Sequence, residues 1–188
     1  MENNTQNNQI RDKGGGYKSL LIYLLIGVIL AFGIRTIVEP TVVVGESMEK
    51  NLHDGEYMLN LKLAYCLTEP DYGDVVIVDV NDDESMKNVN FMIKRVVGLP
   101  GDTIEFKDNK LYRNGILIHE DYIAEPMENV EDMVVELGKD EVFVLGDNRN
   151  NSLDSRSIGP ISYKDEIRGK VILRLFPFDQ SYKNGTFK

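Results

Sequence analysis

Cysteine and histidine are nearly missing from this chain. Cys66 is the only cysteine among 188 residues, so no intrachain disulfide can form and the fold must stand on its core. His53 and His119 are the only histidines, too few to build a zinc site of the Cys/His type. Cys66 is expected to be a small apolar filler, and the two histidines to be ordinary surface or loop residues. Asp82-Asp83-Glu84 offers carboxylates to calcium, but a solvated loop is the expected reading, and no metal or cofactor is expected. A basic surface is also missing. Residues 39–188 carry 17 basic and 29 acidic side chains, a net of −12, which would repel nucleic-acid phosphates and disfavours nucleic-acid binding. There is no internal repeat, and no long helical periodicity outside one early apolar segment.

That segment sets the organisation. Residues 1–18 are polar, Asn- and Gln-rich, and read as a disordered tail. Ser19 to Ile34 is almost wholly apolar, and after Arg35 the character resumes through Val38. As a helix, residues 19–38 would span about 30 Å at ~1.5 Å per residue, the thickness of a bilayer core. Arg35 lies near the far end, where it can snorkel to the headgroups. A cleaved signal peptide has a similar outline. This apolar run is longer than a typical signal core, however, and no clean small-x-small site follows, so an uncleaved anchor is expected. Arg11, Lys13 and Lys18 precede the span, while Glu39, Pro40 and Glu46 follow it. The positive-inside rule then predicts a cytoplasmic N-terminus and an extracytoplasmic 39–188.

The outer part reads as mostly β. Strand-like runs recur at Thr41–Val44, Tyr57–Leu63, Val75–Val80, Phe91–Val97, Thr103–Phe106, Glu141–Leu145 and Lys170–Phe176, separated by Gly, Pro-Gly and Asn-Gly signals. Lys110–Ile118 predicts a hairpin, because Asn114-Gly115 supplies the positive φ angles of a type I′ turn. Asp121–Lys139 is acidic and irregular, an expected excursion from the main body. Residues 103–141 are expected to form a smaller inserted lobe.

Three stretches carry possible chemistry. Ser47 follows Val38 by nine residues, a tether of at most about 30 Å, so it would act close to a membrane surface; a loop serine is the bland alternative. Histidine offers it little help, since His53 lacks a third group to complete a triad. Lysine is the other base that activates serine, provided burial holds it neutral. Lys94 sits in Phe91-Met92-Ile93-Lys94-Arg95-Val96-Val97, where strict alternation points it with Met92 and Val96, and Arg95 the other way. An exposed edge strand blunted by charge would look the same. Lys50 is a second base near Ser47, but on a polar turn it is expected to stay solvated and charged. The third stretch, Gly146 to Pro160, is densely polar directly after the core-like Val142–Leu145. It suggests a fixed hydrogen-bond network, with a plain Asx-rich turn as the alternative.

Together, Gly45-x-Ser47-Met48, Lys94-Arg95-Val96-Val97-Gly98-Leu99-Pro100-Gly101-Asp102 and Gly146-Asp147-Asn148-Arg149-x-x-Ser152-x-Asp154-Ser155-Arg156 closely resemble the motifs of type I signal peptidases, peptidase family S26. Their order and the single anchor are similar to the Gram-positive branch. The resemblance implies an antiparallel β-sheet peptidase fold with a small inserted β lobe. It implies Ser47 as nucleophile, Lys94 as general base and Ser152 as the hydroxyl that orients the lysine. Asp154 and Arg156 would brace the site, and Asp147 and Arg149 would support the same turn. The backbone N–H of Ser47 would help form the oxyanion hole, with Gly45 where some relatives supply a second hydroxyl. The implied substrates are secretory preproteins, cut after small-x-small sites. The cleavage region would lie as a strand between Pro40–Gly45 and Asn90–Ile93, over shallow pockets lined by Val43, Met48 and Ile93. One departure stands out. The family pattern continues Ser-Met-x-Pro-Thr-Leu, whereas this chain has Lys50-Asn51, and proline would have stiffened the turn. A non-catalytic signal-peptidase-like assembly factor for surface polymers is the competing reading. Such relatives are expected to lose the nucleophile or the base, and both are present here.

Overall fold

The structure is a computed structural model that describes residues 15–80, 90–177, 182–183 and 186–187. Most of the N-terminal tail and the Asp82-Asp83-Glu84 stretch lie outside the described residues. The described residues fall into two compact units, divided between Thr36 and Ile37.

The first unit is built on the helix α1, Gly15–Ile37. It begins four residues before the apolar run and ends one residue short of Val38. Apolar residues run around all its faces rather than along one stripe, the pattern of a helix with no single core to face. Tyr17–Ile37, 21 residues, is long and apolar enough to cross a membrane.

The second unit is antiparallel β. Its elements in order are β1 Val38–Val42, β2 Tyr57–Leu61, α2 Ala64–Leu67, β3 Val75–Asp79, β4 Phe91–Gly98, β5 Thr103–Lys107, β6 Lys110–Arg113, β7 Ile116–Leu117, β8 Met133–Glu136, β9 Glu141–Leu145, α3 Ser155–Ile158, β10 Ile161–Ser162, β11 Ile167–Phe176, β12 Tyr182–Lys183 and β13 Thr186–Phe187. The main sheet has the order β1-β2-β11-β3-β4-β9-β10. A four-stranded sheet, β7-β6-β5-β8, is inserted between β4 and β9. Its hairpin turns as the Asn-Gly pair dictates, with φ of 54° at Asn114 and 76° at Gly115.

Alternation explains the layering. Val76 and Val78 of β3 join Met92, Val96, Val142 and Val144 in one core. Val75 and Ile77 face the other way, into a second core with Val43, Met48, Leu52, Met58 and Val171. β3 is therefore buried on both faces, which is why it reads as an unbroken apolar run. A third core joins Val97, Phe143 and Leu145 of the main sheet to Ile104, Phe106 and Leu111 of the inserted one.

Several expectations need correcting. The first strand is Val38–Val42, not Thr41–Val44; β1 is an edge strand, where Pro40 is tolerated because no donor is needed on the open side. Asp121–Lys139 is not irregular throughout: it contains β8, which pairs with β5 from Thr103↔Glu136 to Phe106↔Met133. Cys66 is exposed rather than a core filler, because α2 turns it outward. His53 and His119 are exposed, as expected. β4 is not an edge strand: it pairs with β3 through Phe91–Arg95 and with β9 from Arg95 onward.

Candidate active site

Ser47 sits on the turn that leaves the β1 extension. Val43 still pairs with the β2 side, its N–H donating to Glu56 O at 2.8 Å and its carbonyl accepting from Gly55 N at 3.0 Å. Gly45 then adopts φ 89°, a left-handed value that suits glycine, and its N–H donates to Asp54 Oδ1 at 2.8 Å. A side chain there would meet open space, so backbone conformation rather than crowding calls for glycine. Beyond the serine the turn is nailed into the core by Met48 and Leu52, 1% and 0% exposed. Leu52 N–H donates to Met48 O at 2.9 Å. The nucleophile candidate is thus carried on an anchored turn.

Lys94 comes to it from β4. Its Nζ lies 2.7 Å from Ser47 Oγ and donates to Ile93 O at 3.1 Å. Lys94 is 3% exposed. Burial pushes its amine from an ordinary 10.5 down to about 8; Asp154 and Asp147 pull it upward, and Arg156 adds to the depression. Desolvation wins because taking an ammonium out of water costs more than two carboxylates at a remove return. A buried amine held near neutral pH beside a hydroxyl can accept that hydroxyl's proton.

The Gly146–Pro160 stretch is a fixed network. Asp147, Arg149, Asp154 and Ser155 are all buried. Asp154 accepts from Gly146 N at 3.1 Å and from Arg156 Nε and Nη2 at 2.8 and 2.9 Å. It also caps α3, accepting from Arg156 N. Arg156 Nη2 reaches on to Arg149 O at 2.7 Å, and Arg149 Nε to Gly146 O at 3.0 Å. Asn148 N–H donates to Ser47 O at 3.1 Å, tying this loop to the serine's own turn. Gly146 permits that approach: a Cβ there would lie 2.5 Å from Ser47 O and would collide with Ser152 Oγ. Ser152 Oγ is buried and makes no hydrogen bond.

The remaining sequence-named residues divide between core and cleft. Val43 and Met48 are buried in the core, and half-buried Ile93 packs on the same cluster. The cleft of about 500 Å³ beside Ser47 and Lys94 is lined instead by Val44, Gly45, Glu46, Met92, Asn151 and Leu153 among others. Lys50 is exposed and donates to Asp121 O at 2.9 Å, directed away from Ser47.

Four contributors were missed. Arg95, 1% exposed, holds Asp147 with two bonds, Nε to Oδ1 at 2.7 Å and Nη2 to Oδ2 at 2.6 Å. Asn51 donates to the same Oδ2 at 2.7 Å. Glu120 clamps Arg149 through both terminal guanidinium nitrogens, Nη1 and Nη2. Burial works against the Arg149 charge, but those bonds outweigh it and the group is raised. Tyr122 lays its ring under Arg95, 4.4 Å from the guanidinium carbon, and burial, with Glu120 close by, pushes its hydroxyl up. A signal for Arg95 was available: a strand buried on both faces leaves an arginine needing an internal carboxylate. Glu120 and Tyr122 carried none, being distant in sequence and set in an acidic stretch.

Comparison with known proteins identifies the family. A family model described as signal peptidase, peptidase S26, matches residues 17–176. Signal peptidase I of Bacillus licheniformis is 38% identical over 170 residues, 85% of this chain and 89% of the relative. A probable signal peptidase I-2 of Synechocystis sp. is 36% identical over 82% of this chain and 71% of its own length. Signal peptidase I P of Bacillus subtilis subsp. natto is 36% identical over 84% and 88%. With the family model spanning most of the chain, and relatives of this similarity covered over most of their length, the chain belongs to the signal peptidase family, peptidase S26, and is a serine endopeptidase of the signal peptidase I type.

Proposed function

We propose that this chain removes N-terminal signal peptides from secretory preproteins with a Ser47/Lys94 dyad, through an acyl-enzyme. The observation that carries the reading is the 2.7 Å approach of Lys94 Nζ to Ser47 Oγ at a buried site that depresses the lysine. With the amine neutral, the Ser47 hydroxyl donates to its lone pair. Ser47 Oγ attacks the scissile carbonyl carbon as Lys94 takes the proton. The tetrahedral intermediate then collapses, the C–N bond breaks, and Lys94 returns the proton to the leaving amine. Water, deprotonated by the same lysine, hydrolyses the ester and frees Ser47.

The supporting roles follow from the contacts. No backbone carbonyl among the described residues takes the Ser47 N–H, which leaves it for the oxyanion. Gly45 N–H is committed to Asp54, so this neighbouring position shapes the hole rather than supplying a donor. Ser152 Oγ is the hydroxyl that orients the Lys94 amine once substrate is bound; an unbonded buried hydroxyl costs about 1–3 kcal/mol, which that bond would relieve. Asp154 and Arg156 brace the loop, and Asp147 and Arg149 support the same turn.

The cleavage region lies as an added strand between the outer edge of β1 and the first half of β4. Among the described residues, Phe91–Lys94 pair only with β3. Two clefts of about 500 Å³ follow these strands, one at Ser47 and one bounded by Pro40, Thr41, Ile77 and Phe91. Val44, Met92 and Leu153 give the first an apolar wall, which suits a small residue next to the cut. Residues 19–38 anchor the chain in the lipid bilayer, with residues 1–18 cytoplasmic. The catalytic domain, 39–188, with its inserted lobe at about 103–141, stands on the extracytoplasmic face.

The test is the pH dependence of kcat/KM on a preprotein peptide. Only the neutral amine is active, so the rate is expected to climb about tenfold per pH unit and level off near 8. A profile flat from pH 6 to 9, or a limb near 6.5 as for histidine, contradicts the lysine base. An assembly factor would show no Ser47-dependent cleavage at any pH.

A further inference from the structure

Lys50 and Asn51 stand where proline and threonine were expected, and the structure gives both side chains something to hold. Asn51 is 7% exposed. Its side-chain nitrogen donates to Tyr122 O at 2.6 Å and to Asp147 Oδ2 at 2.7 Å, and its backbone carbonyl accepts from Arg174 Nη2 at 2.6 Å. Lys50 takes a positive φ of 23° and reaches Asp121 O. Asp121 and Tyr122 belong to the connection between β7 and β8. That strap is gripped at each step: Glu120 by Arg149, Tyr122 by Arg95, and Ala124 N–H by Asp147 O at 3.0 Å.

We infer that Asn51, assisted by Lys50, is a positioning residue for the dyad, coupling the turn that carries Ser47 to the Glu120–Ala124 strap and to Asp147. The path is short. Asn51 lies four residues beyond Ser47 on a turn closed by the Leu52-to-Met48 bond. Asp147 is held in turn by Arg95, the residue next to Lys94 on β4. One side-chain amide therefore links the element bearing the nucleophile to the element bearing the base, next to Lys50 where a proline would have stiffened the backbone. Neither Lys50 nor Asn51 lines the cleft beside Ser47, so the coupling acts on chemistry and not on substrate binding.

The inference rests on the dyad reading and is tested by steady-state kinetics of the full chain on a preprotein peptide. Asn51→Ala is expected to lower kcat by about tenfold or more with KM within about twofold, because small misplacements of reacting groups act on the chemical step. Asn51→Asp removes the donor and sets a carboxylate against Asp147, so it is expected to fall further. Asn51→Thr, which keeps one hydroxyl donor, is expected to recover part of the loss. The exposed Lys50→Ala, which spares the core, is expected to lower kcat by about two- to fivefold. A lowered Tm with kcat unchanged well below that Tm overturns the inference. If the Asn51 variants fail to fold, an unchanged kcat in Lys50→Ala overturns it instead. A wild-type chain without Ser47-dependent cleavage overturns the dyad reading and this inference together; an active wild type with an unaltered Asn51→Ala kcat overturns the inference alone.

Discussion

Lys94→Met is expected to lower preprotein cleavage by roughly 10⁴-fold or more while making the folded chain more stable at neutral pH. The loss follows from removing the only base among the described residues at hydrogen-bond distance from Ser47 Oγ, since members of such a unit fail together rather than by shares. The gain in stability comes from the same burial. The lysine titrates near 10.5 when unfolded and near 8 when folded. Between those values the native state binds fewer protons, so the group's opposition to folding is full below pH 8 and fades as pH rises from 8 to 10.5. Methionine fills the space without that cost. At pH 7 its advantage has an upper bound of about 3 kcal/mol, and it should fade between pH 8 and pH 10.5. Denaturant unfolding of both chains at pH 7 and pH 10.5, beside a cleavage assay, separates the effects. Equal stability at pH 7, or retained cleavage, would argue against a buried, neutral Lys94.

Asp147→Ala is expected to be the most destabilising single change at the site. Asp147 is 0% exposed and answers Arg95 at 1%, with Asn51 on the same carboxylate. Removing it strands a buried guanidinium, a loss of about 3–5 kcal/mol. Arg95 also donates to Gly73 O at 2.9 Å and faces the Tyr122 ring, which places the cost toward the lower end. Cleavage is expected to disappear with the network, whereas Asp147→Asn, which keeps one acceptor, should fold and retain partial activity. Thermal melts and cleavage rates of both variants check this. A melting temperature within a degree or two of wild type for Asp147→Ala would mean that the pair does not hold the loop.

What could be read beforehand divides along physical lines. β3, β4 and β9 were legible because burial on both faces writes itself as apolar runs, and the β6–β7 hairpin because Asn-Gly chemistry is local. β8 was not: Val134 and Val135 sit among acidic neighbours, and only their pairing with β5 makes them a strand. Ser47 and Lys94 were suggested by residue type and setting, and their motifs raised that to a family resemblance. Their 2.7 Å meeting is a fact of the fold. The expected pocket residues Val43 and Met48 lie in the core instead, because alternation along an edge extension cannot say which face the following turn covers. Asn51, Arg95 and Glu120 act across 96, 52 and 29 residues of sequence. The setting of Arg95 in a doubly buried strand announces the need for a carboxylate, but contacts that distant leave no trace of which partner answers it.

The measurement that bears most directly on the central claim is sequencing of the new N-terminus released from a labelled preprotein by the anchored chain. The expected result is one cut directly after a small-x-small site, present with the wild type and absent with Ser47→Ala. A cut that survives Ser47→Ala, or no cut beside an active control enzyme, contradicts it.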